Sequence, residues 1–170
     1  MKKFHLWSFI CAFVFVFMLS CTEKSQLYEE WTTISKKLSN QTNYEITDDG
    51  TEYAIIEKYK FILRNFGNHL ELRTPQNSVL YYSDYEAISN ILRTSFGNPI
   101  IEGPRDNSFC PIYNTNKWEN YNHDYRFHMV VGRATDYFEG KLFEENKNSY
   151  ILIGFNDDQV NIEFFDLTNL

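Results

Sequence analysis

The stretch YILIGFNDDQVNIEFFDL, residues 150–167, decides the fold class of this chain. Two runs rich in Ile, Val and Phe, Tyr150 to Phe155 and Val160 to Leu167, lie on either side of Asn156-Asp157-Asp158-Gln159. Apolar runs of this length that are bounded by Asn and Asp are typical of β-strands joined by a tight turn. The sequence therefore predicts a β-hairpin near the end of the chain.

Strand signals of the same kind occur upstream. Asp48-Asp49-Gly50 separates two strand-like runs, as in an Asp-Gly hairpin. Apolar side chains then alternate with others from residue 59 to 64, and the pattern resumes after a turn at Gly67. We therefore predict an antiparallel meander. Its strands are Tyr44 to Thr47, Thr51 to Glu57, Tyr59 to Arg64, Leu70 to Leu72 and, as an extension, Val79 to Tyr82.

Two segments carry a helical period instead. Between Gln26 and Leu38 apolar residues recur every three or four positions, as they do in an amphipathic helix. A second helix is expected from Ser83 to Gly97, because Ser83 and Glu86 have the spacing of a capping box and glycine often ends a helix. Its buried stripe is expected to consist of Ala87, Ile88, Ile91 and Leu92.

The region after this helix is less regular. From Gly97 to Asn122 the chain is rich in Asn and Pro and has no sustained period, which is typical of a binding loop or a disordered segment. Apolar residues then occupy alternate positions from Tyr125 to Val131, so we predict another strand. The segment from Ala134 to Asn146 is ambiguous.

These elements together predict the fold class. Residues 26–170 are expected to form a single α+β domain. It should contain one antiparallel sheet of about six to eight strands, packed with two main α-helices.

The N-terminus has the organisation of an export signal. Lys2 and Lys3 precede an uncharged run from Leu6 to Leu19. That run is shorter than the roughly 20 residues that a membrane-spanning helix needs. Residues 1–20 are therefore predicted to be a signal peptide that is removed.

The residues Met18-Leu19-Ser20-Cys21 resemble the lipobox of bacterial lipoproteins, in which a cysteine follows a small residue and becomes the first residue of the mature chain. Met18 and Leu19 stand where that family usually has Leu and a small residue. The resemblance covers only the leader and implies acyl chains such as palmitate on Cys21, with residues 21–25 as a short tether. Thr22 implies sorting to the outer membrane. Ordinary cleavage, which would leave Cys21 as a free thiol, is the alternative.

The charge of the mature chain limits its partners. The whole chain has a formal charge of −7, and loss of Lys2 and Lys3 leaves 14 basic against 23 acidic residues, or −9. Nucleic acid and anionic lipid would be repelled over a distance, whereas a basic protein would be attracted. A solvated acidic surface without a partner is the simpler interpretation.

A disulfide framework is excluded, because Cys11 leaves with the leader and Cys21 is predicted to be lipidated.

The long loop contains the candidate binding residues Tyr113, Trp118 and Tyr121, which alternate with asparagines. Large amphipathic rings beside adaptable amides are typical of protein-binding surfaces, and they also stack on sugars. The structural alternative is that these rings hold the loop against the core.

A second candidate group is Asp124, Arg126 and His128, because a strand would place all three side chains on one face. Such a group would tune a histidine for proton transfer or bind an anion, unless it is simply a solvated face.

No metal site is predicted, since no HExxH pattern or paired-cysteine spacing occurs. No cofactor is predicted either, since no phosphate-binding or dinucleotide-binding motif occurs.

These observations leave three interpretations of function. The favoured one is a non-enzymatic, lipid-anchored protein-binding module, of which immunity or inhibitor lipoproteins directed against a cationic partner are one example. The second is a binder of small molecules or glycans. The third is a hydrolase in which Cys110 is paired with a histidine, with His69, His123 and His128 as the candidates. The oligomeric state stays open.

Overall fold

The computed structural model describes residues 25–104, 125–134 and 136–170. Eight strands form one antiparallel sheet with three helices packed on it, which confirms the α+β class. The strands are β1 (Thr42–Ile46), β2 (Glu52–Ile56), β3 (Tyr59–Asn65), β4 (His69–Arg73), β5 (Ile101–Pro104), β6 (Glu139–Asn146), β7 (Ser149–Asn156) and β8 (Gln159–Asp166). The helices are α1 (Gln26–Ser35), α2 (Tyr82–Phe96) and α3 (Tyr125–Ala134).

The sheet consists of two four-stranded meanders joined at its centre. Its order is β1-β2-β3-β4-β8-β7-β6-β5, so β4 and β8 make the join. Thr74 reinforces this pairing, because its hydroxyl donates to the Val160 carbonyl and accepts from the Val160 amide at 2.8 and 2.9 Å. The predicted hairpins β1–β2, β3–β4 and β7–β8 are confirmed. The ambiguous segment contains β6.

One face of the sheet, the first face, packs against α1 and α2. Helix α1 is capped by the Ser25 hydroxyl, which accepts from the Tyr28 amide at 3.0 Å. Trp31 is fully buried beneath it and donates its indole N–H to the Asn43 carbonyl at 2.9 Å. Burial of a large apolar side chain stabilises a fold by about 1.5–3 kcal/mol. The helix predicted near the tether therefore belongs to the core of the domain.

The start of α2 differs from the prediction. The backbone N–H of Tyr81 donates to the Asp84 carboxylate at 3.0 Å, so Asp84 takes the role that was expected of the Ser83–Glu86 pair. Glu86 instead forms a 2.6 Å ion pair with Lys141. The strand predicted at Val79 to Tyr82 is wrong, because this segment leads directly into the helix.

The other face, the second face, packs against α3, and here the prediction of a strand from Tyr125 to Val131 is wrong. Phe127, Val130, Val131 and Ala134 are all buried in one cluster. Their spacing of three, four and seven residues places them on one side of a helix, whereas a strand would separate Phe127 from Val130. The alternating pattern in the sequence was compatible with both periods, and packing on the sheet selected the helix.

A row of glycines crosses the second face. Gly103, Gly140 and Gly154 are register partners on β5, β6 and β7. The ring of Tyr137 lies so close to this row that a Cβ atom added to Gly154 would be 2.0 Å from it. The missing side chain of Gly154 thus provides the space that lets Tyr137 lie on the sheet.

We predict that Gly154→Ala lowers the free energy of unfolding by about 3 kcal/mol, because the ring and the strand cannot both keep their positions. Urea unfolding at neutral pH measures this. Gly132→Ala in α3 is the matched control, since nothing lies within 4 Å of its added Cβ atom. That variant should be neutral or more stable by up to about 1 kcal/mol. Equal stability of the two variants would contradict the packing described.

Candidate binding cleft

A cleft of about 620 Å³ lies between α1 and one end of the sheet. Its floor consists of Leu70, Ile151 and Phe164, which belong to the first face, and its walls include Ile34 of α1 and Phe96 of α2. Ligand pockets in proteins usually enclose about 300–1,000 Å³ and are mainly apolar. The cleft therefore has the size and floor of a site for a small ligand or for side chains of a partner.

The rim of the cleft is acidic. Four carboxylates and one lysine line it, namely Glu29, Glu30, Glu145, Asp166 and Lys37. Hydrogen bonds to Thr168 hold the pKa of Asp166 below its usual value, which keeps this carboxylate ionised at neutral pH. The rim therefore carries negative charge above an apolar floor.

Two polar contacts hold α1 at the cleft. The Asn65 amide donates to the Glu30 carboxylate at 2.6 Å, and the Lys37 ammonium pairs with Glu145 at 2.7 Å. They attach the helix to the β3–β4 turn and to the end of β6. Glu29, in contrast, is exposed, and its carboxylate has no side-chain partner among the described residues. A cationic group entering the cleft can pair with Glu29 without breaking either contact.

His69 connects the cleft to the second face. Its ring lines the cleft and is stacked between Phe66 and Phe165, with both centroid distances at 4.9 Å. Nε2 lies 3.4 Å from a carboxylate oxygen of Glu163, and Nδ1 lies 2.8 Å from the Asn68 side-chain oxygen. Burial lowers the pKa of His69, so at neutral pH this wall of the cleft is an uncharged aromatic surface.

Glu163 is a fully buried carboxylate on the second face. Arg133 of α3 donates to its two oxygens at 3.2 and 3.4 Å, and the Tyr137 hydroxyl donates to it as well. Burial and this carboxylate raise the pKa of Tyr137. A buried charge is tolerated only when it is paired and hydrogen-bonded, and these donors meet that requirement.

Glu71 lies directly opposite Glu163 in the β4–β8 register. It is 6% exposed, and no hydrogen bond or ion pair to it occurs among the described residues. Burial and the charge of Glu163 raise the pKa of Glu71. Of these two adjacent buried carboxylates, Glu163 has hydrogen-bond partners, whereas Glu71 has none among the described residues.

Of the residues predicted from sequence, His69 lines this cleft, and most of the others lie outside the described residues. Tyr113, Trp118, Tyr121 and Asp124 lie outside the described residues, as do Cys21, Cys110 and His123. Arg126 is half-buried on α3 and donates to the Leu167 carbonyl at 2.9 Å. His128 belongs to the same helix, where residues two apart do not share a face, so its predicted alignment with Arg126 is wrong. The side chain of His128 is outside the described part.

Sequence reasoning missed the cleft and the glutamate pair. The cleft joins segments that are far apart in the chain, which no local pattern reveals. Glu163 did leave a signal, because it is a lone acid between Ile162 and Phe164 in an apolar strand. Within the described ranges, no three metal-ligating side chains are close enough to hold an ion.

Comparison with known proteins identifies no relative of this chain. No family model, no curated protein and no solved structure matches the chain. None of the described helices is both long and apolar enough to cross a membrane.

Replacing each glutamate of the pair with glutamine is expected to change the free energy of unfolding in opposite directions. Because the folded state raises the pKa of Glu71, stability is lost as pH rises from the unfolded towards the folded pKa of this group. Glu71→Gln should therefore raise the free energy of unfolding at pH 7 by up to about 1 kcal/mol, and the gain should vanish at acidic pH. Glu163→Gln, the matched variant, should lose about 1–3 kcal/mol at pH 7, because the buried hydrogen bonds from Arg133 and Tyr137 would weaken, while Arg133 keeps its ion pair with Asp136 at 3.1 Å. Urea unfolding between pH 4 and pH 8 measures both, and effects of the same sign at pH 7 would contradict the assignment.

Proposed function

We propose that this chain is an envelope lipoprotein, anchored to a membrane through lipid on Cys21, whose domain captures a cationic protein. The observation that supports capture is the cleft itself, with an acidic rim above an apolar floor. This proposal assigns no chemical reaction to the protein.

The charges support a basic partner rather than an acidic one. The rim has four carboxylates against one lysine, and the mature chain as a whole has an excess of acids. Complementary charge steers a partner to the site and excludes partners of the same sign. The long side chains of lysine and arginine also fit such a cleft, because their aliphatic stems can contact Leu70 and Phe164 while their charged ends remain at the rim.

A second candidate function is the binding of a small cationic molecule. The volume of about 620 Å³ favours it, since a ligand of ordinary size would fill this space. The two functions differ in the size of the ligand that the isolated protein retains. Glycan stacking on Tyr113, Trp118 and Tyr121 and hydrolysis through Cys110 stay predictions from sequence, because none of these residues is described.

The proposed anchor rests on the leader sequence, with Thr22 favouring the outer membrane. Helix α1 begins at Gln26, four residues after the tether starts at Thr22. Four extended residues span about 14 Å, so the domain would lie close to the bilayer.

Capture can be tested with immobilised mature chain and the envelope and secreted proteins of the host and neighbouring bacteria. We expect retention of a basic protein at low salt and its loss at high salt. With that protein purified, Glu29→Lys combined with Thr33→Lys, both exposed on the rim, should slow association about tenfold.

The matched control is Asp48→Lys combined with Gln76→Lys. It changes the net charge equally at exposed positions that do not line the cleft. Association that slows equally in both double variants would show that only net charge matters and would contradict capture in the cleft. Retention of a small molecule, with no protein retained, would instead favour the second candidate.

The anchor has a separate test. Cells expressing the full chain and fed an alkyne analogue of palmitate should label the wild-type protein and place it in the membrane fraction. Cys21→Ser should abolish the label and release the protein, because two or more acyl chains are what make anchoring stable. Cys110→Ser should keep the label. A label that survives Cys21→Ser, or is absent from the wild type, would refute the lipoprotein assignment.

A further inference from the structure

Half of the second face has no helix over it among the described residues. Helix α3 packs on β6 and β7, and α1 and α2 both lie on the first face. The open half belongs to β1, β2, β3 and β4. Its apolar part consists of Tyr53, Ile55 and Ile62, each half-buried.

This open half is basic. Arg64 and Arg73 are exposed on neighbouring strands, and neither has a hydrogen bond or ion pair among the described residues. Lys60 lies 4.2 Å from the centroid of the Tyr53 ring and pairs with Glu45 at 2.9 Å. The unpaired cations therefore outnumber the unpaired exposed acids on this surface, although the chain as a whole is acidic.

Glu71 lies between the two arginines and forms no ion pair with either among the described residues. It is the register partner of Arg64 and is two residues from Arg73 on the same strand. Its carboxyl is buried and forms no ion pair with either guanidinium. Burial raises the pKa of Glu71, while the charges of Arg64 and Arg73 act in the opposite direction. Both guanidinium groups are therefore available to an external anion.

The chain enters the domain at the edge of the sheet that carries this surface. The Ser25 hydroxyl lies 3.3 Å from the Tyr44 hydroxyl of β1 and donates to the Glu52 carboxylate of β2. β1 is an edge strand. Tyr44 packs against the first-face core, so the tether starts on that side of the sheet, and its span of about 14 Å has to pass around β1 to reach a bilayer on the second-face side.

We propose that this basic face, formed by Lys60, Arg64 and Arg73 around Tyr53, Ile55 and Ile62, rests on the anionic phospholipid headgroups of the anchoring membrane. The inference relies on the proposed lipid anchor, because tethering raises the local concentration of a weak surface contact. A lipid anchor combined with a basic patch is a known route to stable membrane binding. Tyrosine is also favoured where one side of a ring is apolar and the other is wet.

The net charge of the domain does not prevent this contact. At physiological salt the Debye length is about 8 Å, so only charges near the headgroups act strongly on them. Glu29 and Glu30 of the acidic rim belong to α1, which packs on the first face, so the sheet lies between these carboxylates and the headgroups. The contact would also direct the cleft away from the bilayer, where a soluble cationic partner can reach it.

The test uses the mature chain with Cys21→Ser, so that no acyl chain contributes. We expect it to co-sediment with phosphatidylcholine vesicles only when they contain phosphatidylglycerol, and to be released by high salt. Arg64→Gln combined with Arg73→Gln should weaken this binding about thirty-fold, since each cation near an anionic surface contributes about a fivefold increase.

Lys36→Gln combined with Lys147→Gln is the matched control, because it removes the same charge from exposed positions outside the basic face. It should bind as the parent does. Absence of binding to anionic vesicles, or equal loss in both double variants, would overturn the proposal. Binding of the parent to polyglutamate but not to vesicles would also overturn it, and would assign the face to an acidic protein. The assay contains neither acyl chain nor cationic partner, so a negative result leaves the proposed function standing.

Discussion

The pairing of β4 with β8 is the constraint on which the rest of the structure depends. It joins two meanders through strands that lie about half of the chain apart in sequence, and both the cleft floor and the glutamate pair lie at it. Leu70 and Phe164 pair to form part of the cleft floor, and Glu71 and Glu163 pair on the opposite face. A shift of one residue in this register would exchange the two faces, so the cleft and the glutamate pair cannot form independently of each other.

The charges of the molecule fall into two classes. Those at the cleft rim and on the basic face are exposed, so each adds little to stability but remains available to a partner. Glu163 is instead fully removed from water, where a charge left without its partner is costly, and the partly exposed Arg133 pairs with it from the surface. The acidic and basic surfaces lie on opposite sides of one sheet, and the net charge of the sequence hides this separation.

The sequence predicted the parts of the fold that local patterns determine. Asp-Gly and Asn-Asp turns between apolar runs located the hairpins, and the helical period located α1 and α2. The prediction from sequence failed from Tyr125 to Val131. A short run of alternating large residues is compatible with the period of a strand and with that of a helix, and only contact with the sheet selects one of them. The cleft and the Glu71–Glu163 pair were beyond prediction, since the register that creates them joins residues far apart in sequence. The loop aromatics Tyr113, Trp118 and Tyr121 and the anchor at Cys21 remain predictions, because the described residues do not include them.

The buried ion pair also determines which part of the sheet stays open. Replacing such a pair with apolar residues is often neutral or stabilising, so stability alone does not explain Arg133 and Glu163. Their geometry is specific, because Arg133 reaches both oxygens of Glu163 only when α3 lies over the β5–β8 half. A slide of α3 towards β3 would leave Glu163 buried without its partner. The ion pair therefore opposes the covering of Tyr53 and Ile62 by α3.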